Sequence, residues 1–425
     1  MNPSSRTLPL TALAAFTTVA ATTFSVAAAS PADPASTEQL PSSSSEARDS
    51  ASGSALSSVT PPGSDDSLRV ATYNASLNRD EEGQLAEDLA TPDNEQAQAI
   101  ATIIQENDPD VLLVNEFDYD EEGKSLDLFR ENYLEKSQGD GLDPVDYPYA
   151  FSAPVNTGVD SGLDLDNNGE TGEANDAWGF GEFPGQYGMA VYSKHPLATA
   201  DVRTFQNLLW SDMPENLMPT DFYADNADKV RLSSKSHWDL PVDVDGERIH
   251  LLVSHPTPPG FDGDEKRNGR RNSDEIRLTA DYIAGGQDAD WITDDQGRRG
   301  GLEEDAEFIV LGDQNSDPQD GGDGFPGITQ LLDQPRVTDP QPTSKGGEEA
   351  ASDEGNDTHK NPPEQDTADF SDPEPGNLRA DYVLPSDGLN TTDSGVFWPS
   401  EGETHHDLMD PETSSDHRLV WADIN

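Results

Sequence analysis

The amino-acid sequence predicts an α+β fold, or a layered α/β sandwich, and three observations support this prediction. The chain has many short apolar segments of strand length and few amphipathic helices. One strand–helix–strand unit indicates a parallel crossover. The stretches between the strands are long and acidic, and we interpret them as surface insertions.

The strand–helix–strand unit is the clearest local pattern. Apolar and polar residues alternate over residues 68–74, which predicts a half-buried strand. Apolar side chains recur at helical spacing over 91–107, after a Thr-Pro start and before an Asn-Asp-Pro stop. A short apolar run over 111–116 is typical of a buried strand. Because a crossover brings the ends of its two strands to one sheet edge, we expect Asn74 and Glu116 to be neighbours.

Five further segments are predicted to be strands and one to be a helix. The predicted strands cover residues 188–193, 249–254, 308–311, 382–384 and 419–424. The predicted helix covers residues 274–283 and ends before two glycines. The acidic insertions cover residues 262–271, 288–305 and 341–375.

The first 66 residues are predicted to lie outside the folded domain. Residues 1–29 carry one arginine and an apolar run that closes on three alanines, which is typical of a cleaved secretory signal peptide. Residues 30–66 are rich in Ser, Ala and Pro and predict a disordered linker. We therefore expect a secreted protein whose domain spans residues 67–425. The N-terminal run is too weakly hydrophobic for a membrane anchor, and no later segment approaches the ~18 apolar residues of a membrane span, so we expect no stable membrane insertion.

The composition excludes several classes of function. The 425 residues include 84 Asp and Glu, 25 Lys and Arg and no Cys, which gives a net charge of -59. The lack of Cys excludes a disulfide scaffold, a cysteine zinc module and a cysteine nucleophile. So negative a chain does not hold nucleic acid through a basic surface. Phosphate chemistry on this chain would therefore need metal ions.

Polar residues stand where the best apolar strands stop or begin. One such position is uninformative, because Asn and Asp commonly occupy turns. Six in one chain predict a shared polar edge. They are Asn74, Asn115-Glu116, Ser254-His255, Asp313-Gln314-Asn315, Arg379-Ala380-Asp381 and Ser415-Asp416-His417.

Taken in order, these motifs resemble the endonuclease/exonuclease/phosphatase superfamily, the deoxyribonuclease-I-like proteins, from Leu68 to Ile424. Gln186-Tyr187-Gly188-Met189-Ala190 is similar to another segment of that family. The resemblance implies a four-layered α/β/β/α sandwich and a metal-dependent phosphoesterase. Its substrate would be a nucleic acid or a small phosphoester, and we expect it to act as a monomer.

The resemblance also implies roles for individual residues. Phosphoester hydrolysis needs a Lewis acid, a group that positions water, and cationic donors. The implied ligands of Mg²⁺, or of Mn²⁺ or Ca²⁺, are Asn74, Glu116 and Asp416. The implied catalytic residues are His255, Asp313, Asn315, Asp381 and His417. Whether a histidine or an aspartate is the general base stays open.

Substrate binding is expected at the rim of this site. Tyr187 is a candidate hydrogen-bond donor to the substrate phosphate. Two basic segments, residues 231–239 and 266–272, would bind substrate phosphate or, alternatively, form ion pairs with neighbouring carboxylates. Within the second segment we single out Arg267 and Arg270, whose substitution should raise KM more than it lowers kcat.

A separate acidic loop predicts a structural calcium site. Its candidate ligands are Asp164, Asp166, Asn168 and Glu170, which alternate around a glycine. Asn175 stands where an EF-hand requires glutamate, so a full EF-hand is not expected. The alternative is a solvated acidic turn.

Two classes of function remain from the sequence. The first is a secreted phosphoesterase, either a nuclease or a phosphatase or phosphodiesterase of small substrates. The second is a non-catalytic, acidic, calcium-binding extracellular protein on the same fold.

Overall fold

The computed structural model describes residues 67–139, 141–321, 324–354, 359–371 and 375–425, and within these it contains 13 strands. The predicted signal peptide and the linker up to residue 66 lie outside the described residues. The strands are β1 Leu68–Leu77, β2 Val111–Phe117, β3 Tyr149–Phe151, β4 Met189–Ser193, β5 Arg203–Thr204, β6 His237–Val244, β7 Glu247–Ser254, β8 Glu307–Asp313, β9 Ala368–Asp369, β10 Asn377–Leu378, β11 Asp381–Pro385, β12 Thr391–Val396 and β13 Val420–Ile424.

Seven α-helices connect these strands in the same described ranges. They are α1 Gln84–Asp88, α2 Glu95–Asn107, α3 Lys124–Phe129, α4 Thr220–Tyr223, α5 Arg267–Ala284, α6 Thr329–Leu332 and α7 Lys345–Glu354. Within the described part of the chain, no helix combines the length and the apolar character that a membrane crossing requires.

The strands form two large mixed sheets and one short hairpin. The first sheet has the order β12-β13-β1-β2-β4-β3, and the second has the order β11-β8-β7-β6-β5. Parallel pairs occur at β1–β2 and β7–β8, and the remaining pairs are antiparallel. The two-stranded pair β9–β10 stands apart from both sheets.

Alternate residues of β8 show how the layers stack. Ile309 and Leu311 belong to a core shared with the first sheet, and Phe308 and Val310 belong to a second core shared with α5. Helix α2 contributes Ala97, Ile100 and Ile104, among others, to the first core. The period of two along the strand therefore separates two faces, one against a sheet and one against a helix. The predicted α+β fold with four layers is confirmed.

Element boundaries differ from the prediction at two helices. Helix α2 begins at Glu95, because the side chain of Asn94, and not that of Thr91, accepts the backbone N–H of Ala97. Helix α5 begins at Arg267, seven residues before the predicted start. Its first two turns are polar, and their amides and guanidinium groups bond to neighbouring loops.

Candidate active site

The predicted crossover places two candidate residues side by side. Strands β1 and β2 are parallel, with Asn74 opposite Asn115. Glu116 therefore follows directly at the same edge, with a left-handed backbone φ of 57°. A non-glycine residue adopts this conformation at a cost, and such strain is concentrated at functional sites.

The second sheet delivers three more candidates to the same edge. Asp313 ends β8 and pairs with Asp381, the first residue of β11. His255 follows β7, which runs parallel to β8. The two strand ends approach so closely that a Cβ on Gly312 would lie 2.0 Å from the carbonyl oxygen of Ser254. Only glycine fits this position, and it allows His255 and Asp313 to meet.

The carboxylate of Asp313 is the centre of the cluster. Its Oδ2 accepts a hydrogen bond from Asn74 Nδ2 at 3.1 Å. The same oxygen lies 3.3 Å from His255 Nε2 and 3.6 Å from His417 Nε2. Asn315 donates its backbone N–H to the other oxygen, Oδ1, at 2.8 Å. Asp313 is 1% exposed, so these contacts are shielded from water.

His417 is held in place by a second carboxylate. Its Nδ1 donates to Asp381 Oδ2 at 2.8 Å, and Thr367 Oγ1 donates to the same oxygen at 2.8 Å. Burial alone would lower the pKa of His417, but the carboxylates of Asp381 and Asp313 outweigh it and raise that pKa to about 10. His417 and His255 together hold the pKa of Asp313 well below its usual range, although burial acts in the opposite direction. At neutral pH His417 is therefore a cation and Asp313 an anion.

Tyr187 lies beside this cluster. Its backbone φ is 54°, and its N–H donates to Asp118 Oδ1 at 3.1 Å. Burial, and then the charge of Glu116, raises the pKa of the Tyr187 hydroxyl. The hydroxyl remains protonated at neutral pH and is able to donate a hydrogen bond.

Glu116 and Asp416 both lie in segments that contact β1 near Asn74. The nearest basic side chain to Glu116 among the described residues is His255, with Nε2 4.0 Å from Oε1. Asp416 accepts a hydrogen bond from Ser76 Oγ at 3.4 Å, and Ser415 Oγ donates to the Asn74 carbonyl. The described contacts do not join Asp416 to Glu116 directly.

The donor set at this edge suits a hard divalent cation. Glu116 and Asp313 offer carboxylate oxygens, and neither forms an ion pair with a lysine or arginine among the described residues. Glu116 is 24% exposed and so remains accessible from solvent. Mg²⁺, Mn²⁺ and Ca²⁺ all accept such oxygen ligands. The residues present therefore fit a metal ion.

Glu275 and Asn272 support the site from helix α5, and neither was predicted. Glu275 Oε1 accepts the Ser234 N–H, and its Oε2 accepts the Thr257 N–H, both at 2.7 Å. Asn272 Nδ2 donates to the Gln314 carbonyl at 2.9 Å. These side chains tie the loops after β7 and β8 to one rigid helix. Sequence patterns indicated a helix face here but not these cross-chain contacts.

Arg267 and Arg270 are engaged within the chain. Arg267 pairs with Glu265 at 2.9 Å and lies over the ring of Phe222. Arg270 donates to the backbone carbonyls of Glu265 and Leu217 and lies over Phe325. Neither guanidinium group has a described contact with the residues around Asp313, so the structure does not bring these two predicted substrate ligands to the cluster.

The acidic loop brings two of the predicted calcium ligands close to a third carboxylate. Ligand atoms of Asp164, Asp166 and Asp176 lie within 4.8 Å of one another. The side chain of Asn168 is bonded to Glu173 and to the N–H of Glu170. The carboxylate group thus contains two of the predicted ligands, Asp164 and Asp166, together with Asp176, and Asn168 Nδ2 donates to Asp166 Oδ2 at 3.2 Å. Calcium binding by this loop stays a prediction.

One residue next to the site gives a testable prediction about stability. Asp366 precedes Thr367 and is buried, and its burial, followed by the charge of Asp317, raises the pKa of Asp366 to about 8. The folded chain then binds more protons than the unfolded chain between about pH 4 and pH 8, so the free energy of unfolding falls as pH rises through that window. Asp366→Asn should raise Tm at pH 9 by at least about 2 °C.

The control for this variant is Asp305→Asn, because Asp305 is exposed. Scanning calorimetry at pH 4 and pH 9 would compare the two variants with the wild type. An unchanged or lower Tm of Asp366→Asn at pH 9 would contradict the conclusion that the ionised, buried carboxylate of Asp366 destabilises the fold.

Comparisons with known proteins identify what the chain resembles as a whole. The sequence profile of the Endonuclease/Exonuclease/phosphatase family matches residues 71–417. No curated protein sequence matches significantly.

Solved structures give weaker likenesses. An endonuclease/exonuclease/phosphatase from Beutenbergia cavernae has 18% identity and a TM-score of 0.46, with 84% of this chain and 71% of that chain covered. Sphingomyelinase C from Streptomyces griseocarneus has 16% identity and a TM-score of 0.42, with 84% and 99% covered. A magnesium-bound beta toxin mutant from Staphylococcus aureus has 13% identity and a TM-score of 0.40, with 84% and 99% covered.

Proposed function

The chain belongs to the endonuclease/exonuclease/phosphatase family, and from this premise we propose that it is a secreted, metal-dependent phosphoesterase. The observation that carries the proposal is the convergence of Asn74, His255, Asn315 and His417 on the buried carboxylate of Asp313. Buried polar groups of both signs in one cluster are costly to assemble, and they are typical of sites that stabilise developing charge.

A metal ion would be held by Glu116 and Asn74, with Asp313 or Asp416 as a further oxygen donor. Bound there, Mg²⁺ or a similar ion would act as a Lewis acid that neutralises charge on the phosphate oxygens. The buried His255 beside Glu116 and Asp313 limits how these carboxylates reorient.

The side chains around Asp313 divide the remaining work. Asp313 is anionic and Asn315 is fixed against it, so the pair would hold the attacking water as acceptor and donor. His417 is cationic, because its pKa is raised to about 10, and it would donate its Nε2 proton to a phosphate oxygen. Asp381 fixes the ring through Nδ1, and Thr367 fixes Asp381. Tyr187 would add a second donor.

The charge distribution supports a small phosphoester over a nucleic acid as the substrate. A long polyanion meets repulsion across a chain with a net charge of -59, whereas a small ester meets only the local site. Two of the cations that the sequence offered for a binding groove, Arg267 and Arg270, are engaged within the chain. Nucleic-acid binding depends on several free cations along the backbone.

A substrate panel tests this proposal. The full-length chain would be assayed with Mg²⁺ on plasmid DNA, RNA, bis(4-nitrophenyl) phosphate and 4-nitrophenyl phosphate. We expect turnover of a small ester and slower cleavage of DNA and RNA at low salt. Faster cleavage of the polymers would assign a nuclease. No turnover of any substrate would favour the non-catalytic, calcium-binding alternative.

A further inference from the structure

Lys235 is a buried lysine at the entrance to strand β6. It is 6% exposed, and its neighbours Ser234 and Ser236 are buried as well. The backbone on both sides is fixed: the Lys235 carbonyl accepts the Asn156 N–H at 2.9 Å, and Ser234 is bonded to Glu275. The ammonium group is therefore presented from a rigid segment and not from a mobile surface chain.

The strand register places Lys235 near the site. His237, two residues later, pairs with Ser254, the residue before His255. Burial lowers the pKa of Lys235, as does the nearby charge of Arg271, whereas the carboxylates of Glu116, Glu275 and Asp313 raise it. Two of these three carboxylates belong to the cluster around Asp313.

The ammonium group has no partner of its own. Among the described residues it forms no hydrogen bond, and no carboxylate oxygen lies within the 4.0 Å of an ion pair. A cation on a largely buried side chain without a partner lacks the compensation that a neighbouring anion would provide. Arginines of the same region differ in this respect: Arg231 donates to Asn156 Oδ1, and Arg271 donates to four backbone carbonyls.

We propose that Lys235 is the phosphate-binding cation of this site and donates to a non-bridging oxygen of the substrate phosphate. The inference rests on the proposed function and adds a contact for the substrate. A lysine ammonium group is a compact point charge with three hydrogen-bond donors. It is therefore suited to binding one phosphate group and not the successive phosphates of a nucleic acid. The substrate phosphate would then be the anion that pairs with the Lys235 ammonium group.

The test compares Lys235→Met with Lys229→Met, because Lys229 is an exposed lysine of the same segment. Titration calorimetry of the full-length chain with Mg²⁺ would measure the Kd for inorganic phosphate. Lys235→Met should weaken phosphate binding about 10- to 100-fold, whereas Lys229→Met should leave it unchanged. Tm of Lys235→Met should stay equal or rise, because a buried unpaired charge is removed.

A purely structural role predicts the opposite pattern. In that case Lys235→Met lowers Tm, and the folded variant binds phosphate as tightly as the wild type, which would overturn the inference. A crystal structure of the wild type with Mg²⁺ and phosphate tests the contact without any variant. Lys235 Nζ should lie within hydrogen-bond distance of a phosphate oxygen, and a phosphate bound away from Nζ would contradict the proposal.

Failure of this inference is distinguishable from failure of the proposed function. If the wild type hydrolyses a phosphoester but phosphate affinity is unchanged in Lys235→Met, the function stands and the role of Lys235 fails. If phosphate binding depends on Lys235 and no ester is hydrolysed, the subsite stands and the enzymatic proposal fails.

Discussion

Asp313→Asn is expected to lower kcat/KM for phosphoester hydrolysis by about 10³- to 10⁴-fold. The asparagine has nearly the same shape but no negative charge, and its Nδ2 would face two histidines and Asn74 Nδ2 across 3.1 to 3.6 Å. The variant therefore loses both the carboxylate that would accept from water and one of the two carboxylates, Asp381 being the other, that raise the pKa of His417. Steady-state kinetics on a small phosphodiester would measure the change.

Asp423→Asn is the matched control for this substitution. Asp423 is also a buried carboxylate, but it pairs with Arg69 at 2.7 Å away from the cluster. We expect it to lower Tm and to leave kcat/KM of the folded protein near that of the wild type. A folded Asp313→Asn variant with kcat/KM within tenfold of the wild type would exclude Asp313 from the centre of the site.

His417→Ala is expected to lower kcat by about 10³-fold and to change KM much less. His417 acts as a donor only while protonated, and its pKa is about 10, so wild-type activity should decline as pH rises through 10. The residual activity of His417→Ala should lack this alkaline decline. Rate profiles between pH 6 and pH 11 would measure it, with the exposed His406→Ala as control. An identical alkaline decline in His417→Ala would assign it to another group.

The same residue links pH to stability. The pKa of His417 is about 10 in the folded chain and about 6.5 when unperturbed, so the folded chain holds the proton more tightly. Its contribution to the free energy of unfolding is complete below about pH 6.5 and is lost as pH rises through 10. The wild type should therefore lose more Tm than His417→Ala between pH 7 and pH 10.

Local periodicity carried the prediction of the fold only where apolar residues were regular. The unit β1–α2–β2 has such a pattern, and the expected proximity of Asn74 to Glu116 follows from its parallel register. Strand β6 was not predicted, because Asp239 and Pro241 interrupt its alternation. Both positions are buried by tertiary packing: Asp239, for example, accepts the Tyr282 hydroxyl at 2.5 Å.

The residues at the strand ends could be named from motifs, but their supports could not. Asp313, Asp381 and His417 follow recognisable patterns, and the structure places them within one cluster. Thr367 bonds to Asp381, which is 14 positions away, and Glu275 bonds to Ser234, which is 41 positions away. No local sequence pattern therefore marks these two supporting residues. Arg379 lies two residues before Asp381 but pairs with Asp339 at 2.6 Å, whereas Asp381 binds His417.

The dependence of phosphoester hydrolysis on a divalent cation is the strongest test of whether the cluster around Asp313 and Glu116 is a metal-dependent active site. The full-length chain would be treated with EDTA and dialysed, and Mg²⁺ would be titrated back while hydrolysis of bis(4-nitrophenyl) phosphate is followed. Glu116→Gln, which removes one charge from the proposed ligand set, would be measured in parallel. We predict that activity is lost with EDTA and returns with Mg²⁺ along a saturable curve, and that Glu116→Gln requires at least about tenfold more Mg²⁺. Hydrolysis that continues undiminished in EDTA, or that never appears with Mg²⁺, Mn²⁺ or Ca²⁺, would contradict the proposal that this chain is a metal-dependent phosphoesterase.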